Sequence, residues 1–117
     1  MSFSDGERVA DSLLEGNCAF DAVFAFTDTL AIGIMNRLRQ RGIRVPDEVA
    51  IASFSGTELA TIVHPPLTTV EPPLHQMGRQ AAELILEKII NPTAPCRSVT
   101  LNAEIKMRDS IGVECKE

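Results

Sequence analysis

The chain has 117 residues, 44% of them hydrophobic and 23% charged, with a net charge of −5. That is enough for one modest core and too little for two large ones, and the negative balance is the wrong sign for a surface that itself grips nucleic acid. Cys18, Cys96 and Cys115 have no C-x-x-C spacing, which argues against a disulfide framework or structural zinc and for a reducing, cytoplasmic setting, and no apolar run reaches spanning length.

Ser4-Asp5-Gly6-Glu7 reads as a capping box with Ser4 as N-cap. The helix it opens places Val9, Ala10, Leu13 and Leu14 on one stripe, and Gly16-Asn17 stops it. No strand comes before this helix, as expected of a chain cut from something longer. Ala22 to Phe26 is a continuous apolar run, the pattern of a strand buried on both faces of a parallel sheet. Thr27-Asp28-Thr29 ends the strand and caps a second helix, with Leu30, Ala31, Ile34, Met35 and Leu38 at helical spacing. Arg37, Arg39 and Arg41 close that helix, where cations suit the macrodipole. They read as a solvated helix end near Asp47 and Glu48 rather than as a phosphate site.

Val49 to Phe54 is a second buried strand, so strand, helix and strand form one βαβ unit with parallel, adjacent strands. Both strands end on the same sheet edge, at Thr27-Asp28 and at Ser53-Phe54-Ser55-Gly56, and that edge is where open α/β sheets bind ligands. Thr57 to Val63 fits one or two helical turns, stopped by Pro65-Pro66. Leu67 to Val70 is extended, and a long helix runs from about Leu74 to Ile90 with Met77, Ala81, Leu84, Ile85 and Ile89 as its apolar set. The tail alternates through Val99, Leu101 and Ala103, then Ile105 and Met107, predicting two short strands about residues 102–104, with fraying over residues 113–117.

Catalytic chemistry is not legible. His64 and His75 lack metal-ligand spacing, no phosphate or dinucleotide loop is present, and the serine before Gly56 has no placed His/Asp partner. No enzyme activity, metal or cofactor is expected. Asp28 reads first as an N-cap or first-turn acid, with a ligand-facing role left open. Thr27 at the strand end suits a hydroxyl-rich ligand.

Four segments carry a family resemblance: DAVFAFTDTLAIG from Asp21, GIRVPDEV from Gly42, PPLTTV from Pro65 and MGRQAAEL from Met77. In this order and spacing they resemble the LacI/GalR (lactose-repressor/galactose-repressor) family of bacterial transcription regulators, over residues 4–110. The resemblance implies an α/β fold with a three-layer, Rossmann-like parallel sheet of the periplasmic-binding-protein type I, present here as an incomplete C-terminal lobe. It implies that residues 1–67 form that lobe, that 68–103 hold a crossover, helix and strand belonging with the other lobe, and that 104–117 are a return strand and tail. The helix-turn-helix would lie outside this chain.

It further implies effector contacts at Thr27, Asp28 and Ser55, a crossover at Leu67, Thr68 and Thr69, and a homodimer through Leu30, Ile34, Met35, Leu59, Ile62 and Val63. The implied partners are a small-molecule effector, a sugar or sugar derivative, and operator DNA reached through another domain, with no membrane. The family usually places Asn at position 27 and Asp at position 55. This chain has Thr27 and Ser55, so a carboxylate–sugar clamp at Ser55 cannot operate. The alternative function is a solute-binding protein of a sugar transport system.

Overall fold

A computed structural model describes residues 1–16 and 19–112. The order of elements is α1 (Phe3–Glu15), β1 (Ala22–Ala25), α2 (Asp28–Gln40), β2 (Ala50–Phe54), α3 (Leu59–Ile62), β3 (Thr68–Glu71), α4 (Leu74–Ile90), β4 (Glu104–Lys106) and a 3-10 turn, Asp109–Ile111. The chain divides into two compact units, residues 1–71 with 105–117, and residues 72–104.

In the first unit the strands run in the order β1-β2-β3-β4. β1 pairs parallel with β2, Ala22 beside Ala50 and Ala25 beside Ser53, as the βαβ reading predicts. β2 pairs parallel with β3, Ser53 beside Thr69 and Phe54 beside Val70. The core joins Ala10 of α1, Ala31, Ile34, Met35 and Leu38 of α2, Ala25 and Ile51 of the strands, and Val49, Ala60 and Leu67. This amounts to one apolar stripe per helix meeting one face of the sheet.

The expected burial of β1 on both faces does not hold. Ala25 is buried, but Phe24 is 63% exposed and Phe26 68% exposed. Successive side chains of a strand point to opposite faces, and nothing among the described residues of this unit covers the face that carries Phe24.

α1 starts two residues earlier than the sequence predicts. Ser2, not Ser4, is the N-cap; its hydroxyl accepts from the Asp5 N–H, and the Asp5 carboxylate accepts from the Ser2 N–H at 2.7 Å. That bond, and the Arg8 guanidinium next to it, hold the Asp5 carboxyl at about 2. Aspartate serves the return half of the capping box as well as glutamate does, so position three after Ser2 completes the motif.

α1 and α2 cross at glycine on both sides. A Cβ on Gly33 would stand 2.2 Å from the Phe3 carbonyl oxygen, and one on Gly6 2.4 Å from that of Leu30. Arg37 and Arg41 find partners on α1 and not at Asp47 and Glu48, while Arg39 donates to Asn36 Oδ1 within α2. Arg37 meets Glu7 at 3.4 Å and Asp11 at 3.3 Å, and Arg41 meets Asp11 at 2.6 Å. Asp47 and Glu48 pair with Arg44 instead.

β3 lies inside the first unit rather than beyond it, because its side chains are tied there. Thr68 N–H donates to Ser110 Oγ at 2.8 Å, and Ser110 Oγ donates to the Ile51 carbonyl at 2.5 Å. Arg108 N–H donates to Thr68 Oγ1 at 2.8 Å. The chain leaves the unit after Glu71.

The second unit consists of α4 and the segment that continues from it to Glu104. α4 spans the predicted residues, yet none of them is buried, and Met77, Ile85 and Ile89 of the apolar set are exposed. The Lys88 ammonium donates to the Ala94 carbonyl, and Arg97 meets Glu87 at 3.0 Å. The two predicted tail strands reduce to one, β4; residues 95–103 have no regular structure. The predicted fraying of 113–117, and Asn17 of the first helix stop, lie outside the described residues. No helix among the described residues is long and apolar enough to cross a membrane.

Candidate functional site

Parallel pairing brings the C-terminal ends of β1, β2 and β3 to one edge. Phe26, Thr27 and Asp28 leave β1 there; Ser55, Gly56 and Thr57 leave β2; Glu71 ends β3.

Thr27 caps α2, its Oγ1 accepting from the Leu30 N–H at 3.3 Å. Asp28 is the first residue of α2 and is 1% exposed. Its Oδ1 accepts from Ser53 Oγ at 2.6 Å, and its Oδ2 accepts from the Thr57 N–H at 2.6 Å and from Thr57 Oγ1 at 2.7 Å. Burial pushes the Asp28 carboxyl up, but the bonds from Ser53 and Thr57 outweigh it and hold the group below the ordinary aspartate value. A buried carboxylate is tolerated here because both of its oxygens are hydrogen-bonded. Asp28 therefore fixes the turn after β2 against the start of α2.

Ser55 is half-buried, and its N–H donates to the Val70 carbonyl at 3.0 Å, which pins the turn to β3. Phe26 and Phe54 stack with ring centroids 6.4 Å apart, giving the edge an aromatic surface. Among the described residues no group of three or more His, Cys, Asp or Glu side chains is placed to hold a metal. His64 and His75 are both exposed.

Glu71 was not singled out by its sequence pattern. Its Oε1 accepts from Thr69 Oγ1 at 2.7 Å and from the Arg108 guanidinium at 3.1 Å. Arg108 also donates to the Leu67 carbonyl at 2.7 Å and to Thr69 Oγ1 at 2.9 Å. The Thr69 hydroxyl first, and Arg108 after it, hold the Glu71 carboxyl below the ordinary glutamate value despite partial burial. Leu67, Thr68 and Thr69 are buried around this brace. The only advance signal was an acidic residue directly after a Thr-Thr-Val strand.

The residues expected at a dimer face are not all on one surface. Ile34 and Met35 are buried in the core and Leu30 packs against it, while Leu59 is exposed and Ile62 is 76% exposed. Val63 lines a groove of about 850 Å³ with Phe3, Ile32, Met35, Ile43 and Val45.

A parallel α/β sheet whose strand ends converge on a polar edge is the frame of a ligand-binding domain. Residues 3–111 match the periplasmic binding protein-like domain, and the chain belongs to that family. Within the family its likeness is to LacI-type regulators. It is 38% identical over 102 residues to the HTH-type transcriptional repressor PurR of Vibrio cholerae, covering 87% of this chain and 30% of that protein. The fold is similar to that of the transcriptional regulator CelR–cellobiose complex, with a TM-score of 0.86 and 30% identity, over 94% of this chain and 34% of that one. It is also similar to a LacI family transcriptional regulator from Enterococcus faecium with bound ribose, with a TM-score of 0.78 and 26% identity, over 94% of this chain and 40% of that one. The chain spans about a third of the length of the curated relatives it matches.

Proposed function

We propose that this chain is the effector-sensing part of a bacterial transcription regulator, and that its effector is a sugar or sugar derivative bound at the edge formed by Thr27, Ser55 and their neighbours. The observation that carries this reading is the convergence of three parallel strand ends on one hydroxyl-lined, aromatic-flanked edge. It is supported by relatives that are repressors and by similar folds solved with cellobiose and ribose. Thr27 and Ser55 offer the ligand hydroxyl groups that both donate and accept. Asp28 acts behind them, holding the turn after β2 in place. The chain binds and does not catalyse, and it works in the cytoplasm, where operator DNA is reached through a domain outside it. A transport solute-binding protein would share the fold, but the relatives named above are regulators.

In this reading residues 72–104 belong with a second lobe. Binding of the sugar changes the conformation that the whole regulator presents to operator DNA. A second copy of the chain packs on the surface beside Ile62 and the groove at Val63.

Calorimetric titration of the chain with ribose, cellobiose and lactose tests the sensing role. Saturable heat with one of them, lost in Ser55→Ala, is the expected result. No heat with any of the three defeats the carbohydrate assignment.

A further inference from the structure

We infer that Glu71 is the carboxylate through which this chain recognises its effector, accepting hydrogen bonds from the hydroxyl groups of a carbohydrate. This rests on the reading above and specifies it. The turn after β2, Ser55-Gly56, has no acidic side chain. The structure supplies one from the next strand. A Cβ added to Gly56 would stand 2.2 Å from Glu71 Cγ and 2.9 Å from Oε1, so the Glu71 side chain lies directly against the turn. Glycine at position 56 makes that approach possible, and its φ of +76° is one that side chains with a Cβ rarely adopt.

The carboxylate is prepared for binding. Thr69 and Arg108 both hold Oε1, and Arg108 is itself anchored to the Leu67 carbonyl. The group is thereby ionised and orientationally fixed, so little freedom remains to be lost when a ligand arrives. The bonds from Thr69 and Arg108 both fall on Oε1, the Lys106 charge also acts on the carboxylate, and the side chain retains a quarter of its exposure. An ion-pair partner of Arg108 needs only Oε1. The carboxylate stands against the Gly56 turn, next in sequence to Ser55, and in this inference Oε2 takes the ligand's hydroxyl donors. Carboxylates suit sugar hydroxyls because each such hydrogen bond is charge-assisted.

The test uses the 117-residue chain with glutamate labelled at the side-chain carboxyl carbon, titrated with ribose, cellobiose and lactose and followed by NMR. With the sugar that binds, the Glu71 carboxyl resonance moves together with the Thr27 and Ser55 amides. Glu71→Gln keeps the shape and one acceptor, and is expected to weaken that sugar by about tenfold or more. If the Thr27 and Ser55 amides respond while the Glu71 carboxyl stays still, or if Glu71→Gln lowers only Tm and leaves the affinity unchanged, Glu71 is an internal brace and the inference is overturned, with sugar sensing intact. If no resonance of this edge responds to any of the three, both readings fail. The carboxyl signal of the unsubstituted chain decides the matter even where Glu71→Gln does not fold.

Discussion

Asp28 offers the sharpest quantitative test, because its three hydrogen bonds differ in what each partner can become. The Thr57 N–H can only donate, so Oδ2 must remain an acceptor. Ser53 Oγ, 2.6 Å from Oδ1, can reverse and accept. Asp28→Asn with its amide nitrogen toward Ser53 therefore keeps these three contacts and loses the charge. Charged hydrogen bonds contribute about 1.5–3 kcal/mol and neutral ones about 0.5–1.5. The expected cost of Asp28→Asn at neutral pH is thus roughly 1–2 kcal/mol. Asp28→Ala instead leaves the fully buried Ser53 hydroxyl without its acceptor, and about 2–4 kcal/mol is expected.

The folded pKa of Asp28 lies below its ordinary value of 3.8. Its stabilisation is therefore complete above 3.8 and is lost as pH falls through the lower folded value. Urea unfolding of the unsubstituted chain and Asp28→Asn, at neutral pH and at successively lower pH, measures this directly. The gap between them should close on acidification, since the other carboxylates titrate in both chains and cancel. A gap absent at neutral pH, or constant down to acid pH, would refute the bracing role.

Three further predictions concern the scaffold. Ser110→Ala removes both the acceptor for Thr68 N–H and the donor to the Ile51 carbonyl, and should cost about 1–3 kcal/mol in urea unfolding. Gly33→Val forces a side chain into the Phe3 carbonyl, and differential scanning calorimetry should record a clear drop in Tm, while Gly78→Val, with nothing within 4 Å, should change Tm far less. Ile62→Lys alters an exposed side chain, so the fold should survive and sedimentation velocity should report dissociation of the proposed dimer; an unchanged oligomer would exclude that surface.

Local pattern decided a great deal about this protein. The apolar run Ala22 to Phe26, the helix after Thr27 and the second strand at Val49 to Phe54 each state their element and their parallel pairing. Parallel pairing is dictated because a helical crossover of this length leaves little other choice. α4 was legible almost to the residue, since helical periodicity between Pro73 and Pro92 has nothing to compete with. The polar edge was legible in outline, because strand ends in a parallel sheet must share a side.

What periodicity cannot encode is which polar groups meet across long separations. Arg37 and Arg41 chose Glu7 and Asp11 on α1 over nearer acids, because two glycines let the helices approach closely. Phe24 belongs to a strand pattern that reads as buried, and its exposure depends on what covers the sheet, which no local signal reports. Asp28 was visible as a helix-start acid, yet its bonds to Ser53 and Thr57 reach across the crossover helix from one strand end to the next. Glu71 was silent in sequence. It acquires its meaning only where β3 lies beside β2, with Gly56 leaving room for its carboxylate and Arg108 arriving from the far end of the chain to hold it.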